Sequence, residues 1–500
     1  MLKKILVANR GEIAIRIIRA CRELGKKTAT VYSQADKDSL HVQNADECYC
    51  IGPAEPTESY LNINKIIEVA KTSKCDAIHP GYGFLSQVPA FAETCEKSNI
   101  KFIGPSSKAL HKLGNKVESR KTAVEAGIPI IPGSIESAKN ADEAVEIAEK
   151  VSYPVLVKAV YGGGGRGMRI VWNRDEMEKV LELAVLEAEA SFGNRDIYVE
   201  KFLPRARHIE FQILADEFGK VVHLGERECS IQRRYQKLIE ETPSPFMTKE
   251  LRKEMGKAAV KIAKAANYVN AGTVEFLVDA NGKYYFLEFN TRLQVEHLIT
   301  EMVTGIDIVK AQIKISSGEK GEFSQSDITM RGHAINCRIN AEDPYNNFMP
   351  SPGVVTSFQM PSGSGVRVDT HLYVGYYISV FYDPLIAKLA VLGTNRAEAI
   401  QRMRNALNEF VIEGVKTTVP FHKRIMEDPS FVKGDIHVNF VEERIGEVLQ
   451  KVTLSSEEFA AVVAVLADLV EKRNVRAVIP RRESKAVSLW RSAGKVRRQK

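Results

Sequence analysis

Glu275 and Glu288 are acids whose spacing could do chemistry. They lie in VEFLVDANGKYYFLEFN (274–290), two apolar-rich runs around Asn281-Gly282, a pair that favours a two-residue hairpin turn. A turn centred there sets Glu275 directly across from Glu288. Cross-strand neighbours have Cβ atoms about 5 Å apart, and like charges there are unfavourable. The repulsion is roughly 3 kcal/mol at an effective dielectric near 20. Opposed carboxylates can share a proton or hold a divalent cation. Asn290 falls two residues beyond Glu288 on the same face and adds an amide oxygen. Hard oxygen ligands of this kind suit magnesium or manganese. A slipped register would instead leave two separate surface acids.

Three further stretches carry chemical potential. In PVLVKAVYGGGGRGMRIVW (154–172), Lys158 ends an apolar strand before Gly162–Gly165 and Gly167. Successive glycine N–H groups can wrap phosphate oxygens. No G-K-[ST] follows and a strand resumes, so this is not a Walker loop; a merely mobile hairpin tip is the alternative. In NTRLQVEH (290–297), Arg292, Gln294 and Glu296 alternate, and an extended chain would point them one way. An arginine fork beside a carboxylate base could bind and deprotonate a small oxyacid, although a surface Arg–Glu pair is the commoner outcome. HPGYGFLS (79–86) reads as a tight loop at the carboxyl edge of a sheet, where α/β ligands often sit. The charged run ERECSIQRRYQK (226–237) reads as a solvated face.

Those residues need a scaffold. The first hundred residues alternate strand and helix: KILVA, GEIAIRIIRACREL, KTATVYS, YLNINKIIEVAKTS, DAIHPG, PAFAETCEKS, KFIG. That is a parallel sheet with helices on both faces, without the G-x-G-x-x-G of a dinucleotide site. A helix over 108–127 opens a second region, ending at Gly127 ahead of Pro129 and Pro132. From about 150 to 300 the strands read as antiparallel, with hairpins at 155–171 and 274–289. A third region, 331–450, carries more strands and the helix RAEAIQRMRNALNEF.

Composition narrows the class. The apolar content of 44% supports well-buried cores in a chain of 500 residues. The start, MLKKILVANRGE, lacks a secretory h-region, and no apolar run is long enough to span a bilayer. Seven scattered cysteines form no C-x-x-C or zinc pattern; they read as buried small residues in a reducing cytoplasm. The net charge of +7 is concentrated at the end: residues 471–500 carry +9, leaving −2 for the rest. A basic nucleic-acid-binding surface is therefore not expected.

Together, ANRGEIAIRI (8–17), HPGYGFLS, KAVYGGGGRGMR (158–169), RHIEFQI (207–213), SIQRRYQK (230–237), NTRLQVEH, GHAINCRINAEDP (332–344), SPG (351–353) and YDPLIAKL (382–389) resemble the biotin carboxylase family of ATP-grasp ligases. The resemblance implies an α/β and α+β molecule: an N-terminal doubly wound parallel-sheet domain (1–112), an ATP-grasp domain (113–330) with a glycine-loop lid at about 132–203, and a mixed C-terminal domain (331–448). It also implies site roles. Lys116, Lys158, Gly163, Gly164, Gly165, Gly167 and His208 would contact ATP phosphates. Glu200, Lys201 and Leu203 would hold adenine. Glu275, Glu288 and Asn290 would ligate Mg2+ or Mn2+. Lys237, Arg292, Gln294, Val295 and Glu296 would hold bicarbonate, with Glu296 as general base. Arg338 would act near carboxyphosphate and biotin.

Gln87, Asn115, Tyr235 and Leu298 depart from the usual family pattern. No Met-Lys dipeptide occurs, so biotin is expected on a partner chain, a biotinylated carrier or carboxyltransferase subunit, with this chain as a homodimer inside a larger hetero-oligomer. Ser455–Glu458 reads as a capping box ahead of an amphipathic helix and a basic tail (449–500) that would help dock the partner. The extension resembles that of the biotin-carboxylating component in two-part pyruvate carboxylases; a component of an acetyl- or acyl-CoA carboxylase is the alternative.

Overall fold

The computed structural model describes residues 2–134, 138, 141–159, 168–192, 197–321, 323–448 and 464–465. It divides into two units, Met1–Leu449 and Gln450–Lys500. The tail helix and the basic segment expected above lie outside the described residues, apart from Ala464 and Val465.

The N-terminal sheet is parallel, with strands in the order Glu47–Gly52, Lys27–Ser33, Lys4–Val7, Ala77–His79, Lys101–Phe102. The chain first builds outward from Lys4–Val7 on one side, then returns to build on the other. The switch point therefore lies between Lys4–Val7 and Ala77–His79, where Val7 pairs with His79. Loops leaving neighbouring strands at such a point part and open a crevice. The Asn9 amide spans the two loops, donating to the carbonyls of Pro80 (2.7 Å) and Tyr82 (2.8 Å). Gly81 takes φ +63, and a Cβ there would lie 2.9 Å from the Asn9 amide nitrogen, so glycine permits that close approach.

An eight-stranded sheet forms the centre. Its order is Tyr284–Asn290, Asn270–Val278, Arg207–Ala215, Val221–Arg233, Gln236–Thr242, His333–Asn340, Leu385–Gly393, Val366–Thr370. The pairings are antiparallel. One face packs Phe211, Val274, Phe276, Phe286 and Phe289 with Met255, Ala259 and Ile262 of helix Lys249–Ala265. A smaller sheet, Met168–Val171, Val155–Ala159, Ile197–Lys201, packs on helices Ala141–Val151 and Arg174–Phe192.

Several expectations change in detail. Glu275 does pair with Glu288, but through two compensating shifts. The loop is wider than two residues: Gly282 N–H donates to the Asp279 carbonyl and Asp279 N–H to that of Lys283. A bulge at Leu287 then restores the register. The expected helix over 108–127 is two helices, Ser107–Gly114 and Lys116–Glu125. Asn115 breaks it, because its side chain caps the second helix by accepting from the N–H groups of Val117 and Glu118. The run 226–237 is a solvated face only in part: residues 226–232, with Glu226, Arg227 and Glu228, are buried in the central sheet, whereas Arg234, Tyr235 and Gln236 are exposed. Cys48 and Cys50 are exposed, unlike the other five cysteines. Among the described residues no helix is long and apolar enough to cross a membrane.

Candidate active site

Directly opposed residues in adjacent strands point to one face. Glu288 pairs with Glu275, Glu275 with Glu210, and Glu210 with Arg227. Four strands thus carry a single transverse row of charges. A further bulge continues the pattern: strand Gln236–Thr242 slips against Ile231/Gln232, which brings Lys237 and Glu240 to the same side. That side forms the floor of a cavity of about 1140 Å³, large enough for two small ligands.

At one end, the Asn290 amide donates to Glu275 Oε1 (2.9 Å) and to Glu288 Oε1 (3.1 Å), so an amide sits between the two acids. His208 Nε2 lies 3.0 Å from Glu275 Oε2. Burial would raise the Glu275 carboxyl, but Lys237 and His208 overcome it and hold it well below the usual carboxylate range. Two carboxylates in register, one of them held ionised, with an amide whose oxygen can turn inward, fit a divalent ion with oxygen preference.

Toward the small three-stranded sheet, Lys158 contacts Glu200 Oε1, and Arg120 lies 3.2 Å from Oε2. Lys201 Nζ donates to the carbonyls of Ser152 (2.9 Å) and Tyr153 (3.0 Å). Burial lowers the pKa of Lys116 despite the nearby Glu288. Lys116, Leu203 and His208 also line the cavity. Gly163, Gly164, Gly165 and Gly167 lie outside the described residues.

Between these ends, Lys237 Nζ is ringed by Glu210 Oε2 (2.6 Å), Glu296 Oε1 (2.7 Å) and Glu275 Oε1 (2.8 Å). Burial opposes its charge, but the three carboxylates raise it well above an ordinary lysine. Arg338 bridges Glu240 Oε1 (2.6 Å) and Glu296 Oε2 (2.9 Å). Arg292 differs: it donates to the Leu293 carbonyl, to Gln294 Oε1 (3.0 Å) and weakly to Asn290, and makes no ion pair among the described residues. Its pKa is lowered by burial, with only partial relief from Glu296, Glu275 and Glu288. A half-buried guanidinium without a carboxylate partner is a natural anion receptor.

Segment 291–296 is not the extended chain expected from its alternation. It turns at Val295 and Glu296, and Glu296 begins helix His297–Thr304. The turn drives the Glu296 carboxylate between Lys237 and Arg338. The proposed site side chains within the described residues nevertheless converge on this cavity or its immediate wall.

Three family profiles cover most of the chain. The biotin carboxylase N-terminal domain matches residues 1–110 and the biotin carboxylase C-terminal domain residues 336–443. Between them, the carbamoyl-phosphate synthase L chain ATP-binding domain matches residues 115–323. The pyruvate carboxylase A-component of Methanothermobacter thermautotrophicus is 52% identical over 490 residues, covering 95% of this chain and 100% of that protein. The chain belongs to the biotin carboxylase family. Its chemistry is the ATP-dependent carboxylation of biotin on an ATP-grasp scaffold.

Biotin carboxylase 1 of Bacillus subtilis is 54% identical over 443 residues, covering 88% of this chain and 98% of that protein. The biotin carboxylase domain of Hydrogenobacter thermophilus 2-oxoglutarate carboxylase, solved as a dimer with MgADP, ADP and bicarbonate, superposes with a TM-score of 0.87. It is 47% identical and covers 90% of this chain and 99% of that one.

Of the biotin carboxylase departures, Asn115 retains a helix-capping function and Leu298 is buried in the first turn of helix His297–Thr304. Gln87 and Tyr235 line the cavity. Sequence reasoning missed Arg120, Glu210, Arg227 and Glu240. For Glu210 a signal existed: in IEFQI, Glu210 and Gln212 alternate with apolar residues, which marks a polar face inside a buried strand. Arg227 completes that face, fully buried and bonded to Glu210 Oε1, Gln212 Oε1, Thr273 Oγ1 and Thr300 Oγ1.

Proposed function

We propose that this chain carboxylates biotin on a separate carrier protein, with the cavity residues in the following roles. Lys116, Lys158 and His208, together with Gly163, Gly164, Gly165 and Gly167, hold the ATP phosphates; Glu200, Lys201 and Leu203 hold the base. Glu275, Glu288 and Asn290 hold Mg2+ or Mn2+, which when bound offsets charge on the transferring phosphoryl group. Lys237, Arg292, Gln294 and Val295 fix bicarbonate beside Glu296. Burial alone would favour a protonated Glu296, but Lys237 and Arg338 keep its pKa low and its carboxylate ionised, ready to take the bicarbonate proton. A bicarbonate oxygen then attacks the γ-phosphorus, ADP leaves, and carboxyphosphate forms. Arg338 steadies the carboxyl group as the C–O bond of carboxyphosphate breaks; the released phosphate takes the proton from biotin N1, and N1 forms the new bond to the carboxyl carbon.

The observation that carries this reading is the Glu296 carboxylate pinned between Lys237 and Arg338 (2.7 and 2.9 Å) beside an Arg292 that makes no ion pair among the described residues. Free biotin should stimulate bicarbonate-dependent ATP hydrolysis; turnover indifferent to biotin would fit a carbamoyl-phosphate-forming ligase and end the proposal.

The acceptor we propose is pyruvate, converted to oxaloacetate by a partner carboxyltransferase that also carries biotin. Alignment with the Methanothermobacter protein covers 95% of the chain, whereas the Bacillus biotin carboxylase covers 88%. An alignment that covers 95% of 500 residues must include part of the segment after residue 448, in keeping with a component that docks through it. The division into 1–112, 113–330, 331–448 and a partner-docking 449–500, the homodimeric core and the cytoplasmic setting belong to the same proposal. Co-purification with a biotinylated partner that converts pyruvate to oxaloacetate would support it; a partner that carboxylates only an acyl-CoA would replace pyruvate with that acceptor.

A further inference from the structure

Lys388 is a fully buried side chain on strand Leu385–Gly393 that no role above uses. Its ammonium reaches three ways. Glu12 Oε2, from helix Gly11–Glu23, lies 3.0 Å away, and Asp369 Oδ2, from strand Val366–Thr370, lies 3.8 Å away. The third contact is the Val295 carbonyl, which accepts from Nζ at 3.2 Å. The first two contacts alone would describe an ion triad joining distant parts of the chain. The third has no place in such a staple, since it enters the segment that carries Gln294 and Glu296.

That segment has no ladder or helix to fix it, and buried carbonyls need donors. The Leu293 carbonyl accepts from Arg292, and the Gln294 carbonyl from the His297 ring at 2.8 Å. The Val295 carbonyl takes its donor from Lys388, 93 residues away. Val295 and Glu296 share this peptide unit, so its orientation sets where the Glu296 carboxylate begins. The Tyr82 ring lies 5.7 Å from the same ammonium, linking the HPGYGF loop to the contact.

We propose that Lys388 is a positioning residue for bicarbonate. It touches no substrate; it holds the Val295–Glu296 peptide so that Gln294 and Glu296 face the anion together, and Glu12 serves as its counter-ion. The inference rests on the assignment of Gln294–Glu296 to bicarbonate.

The test uses the full chain with free biotin, reading KM for bicarbonate and KM for ATP separately. Lys388→Met keeps the length of the side chain and removes its charge and donor. Losing a charged donor to a partly buried carbonyl is expected to raise KM for bicarbonate about tenfold to a hundredfold, with KM for ATP within about twofold. Because Lys388→Met strands Glu12 without its cation, Lys388→Met/Glu12→Gln is measured beside it; Asp369 retains Arg367, at 2.8 Å. The double variant should show the same rise. Glu12→Gln alone leaves the donation to Val295 in place and should shift the constant less than about threefold. Arg292→Met supplies the reference, since it should raise KM for bicarbonate if the anion site is assigned correctly. If Arg292→Met raises it and both Lys388 variants leave it unchanged, or raise both KM values alike, Lys388 is a staple and the inference fails. If Arg292→Met also leaves it unchanged, the bicarbonate assignment falls and takes the inference with it.

Discussion

Glu240 and Glu241 are neighbours on one strand and face opposite sides of the central sheet. Glu241 accepts from His333 Nε2 (2.6 Å), Arg396 Nε (2.7 Å) and Arg396 Nη2 (3.0 Å). That cluster is balanced, with the Arg396 guanidinium and the His333 ring saturating one carboxylate. Glu240 belongs to the cavity side, where charge is out of balance. Among the described residues, Lys237 serves three carboxylates and Arg292 pairs with none. Removing one partner from a closed pair costs stability. Removing one from an open cluster should also cost whatever that cluster holds for substrate. Balanced charge marks architecture, and unbalanced charge marks a site prepared for ligands.

The strongest test of that contrast is Glu296→Gln. The amide keeps the shape and the Arg338 contact but cannot accept a proton. Loss of a general base typically costs about 10²–10⁴ in rate, so kcat for biotin-dependent ATP hydrolysis should fall in that range while KM for ATP changes little. A variant retaining a third of wild-type kcat would show that Glu296 only completes the cage around Lys237.

A somewhat smaller effect is expected at the metal-fitted end. Glu288→Gln removes one of two facing carboxylates and keeps a ligating oxygen. Half-maximal activity should require about 10–100 times more Mg2+, partly recovered at saturating metal. Lys158→Met should act nearby on a different constant. It frees Glu200 from one of its two cations and would remove the phosphate contact proposed for Lys158, so KM for ATP should rise about tenfold, with KM for bicarbonate unmoved. If Glu288→Gln shifted bicarbonate instead of metal, the two ends of the cavity would not be the separate subsites described above.

How much of this could be read from the residues alone follows the same division. The Glu275–Glu288 pairing was legible because the hairpin turn, the apolar runs and the like charges all constrained one register, and the Leu287 bulge cancelled the error in loop length. The parallel sheet was legible from its alternation of short strands and amphipathic helices. The buried run 226–232 was not, because charge density suggests solvent when partners are distant in sequence: Arg227 finds Gln212, Thr273 and Thr300. Lys388 was hidden for the same reason. The path of 291–296 was hidden because alternation implies extension only where a strand partner exists, and here side chains hold the backbone.

The smallest catalytic effect is expected from Glu241→Gln, which breaks the balanced cluster. Burial would push the Glu241 carboxyl up, but hydrogen bonding from His333 and the Arg396 guanidinium outweighs it and holds the pKa below the ordinary 4.5. The unfolded chain therefore binds a proton at this position more readily than the folded one. Stability from the group is fully present above about pH 5 and is lost as pH falls through 4.5 and below. The variant lacks this titration and leaves Arg396 partly unpaired, a loss of about 3 kcal/mol or less given its slight exposure. Thermal unfolding at pH 7 should show a lower midpoint for Glu241→Gln, and the gap to wild type should narrow toward pH 4. Both KM values should stay within about twofold of wild type, since the cluster turns away from the cavity. A tenfold rise in either constant would mean that strand Gln236–Thr242 transmits charge from one face to the other, and the contrast between Glu240 and Glu241 would no longer separate architecture from site.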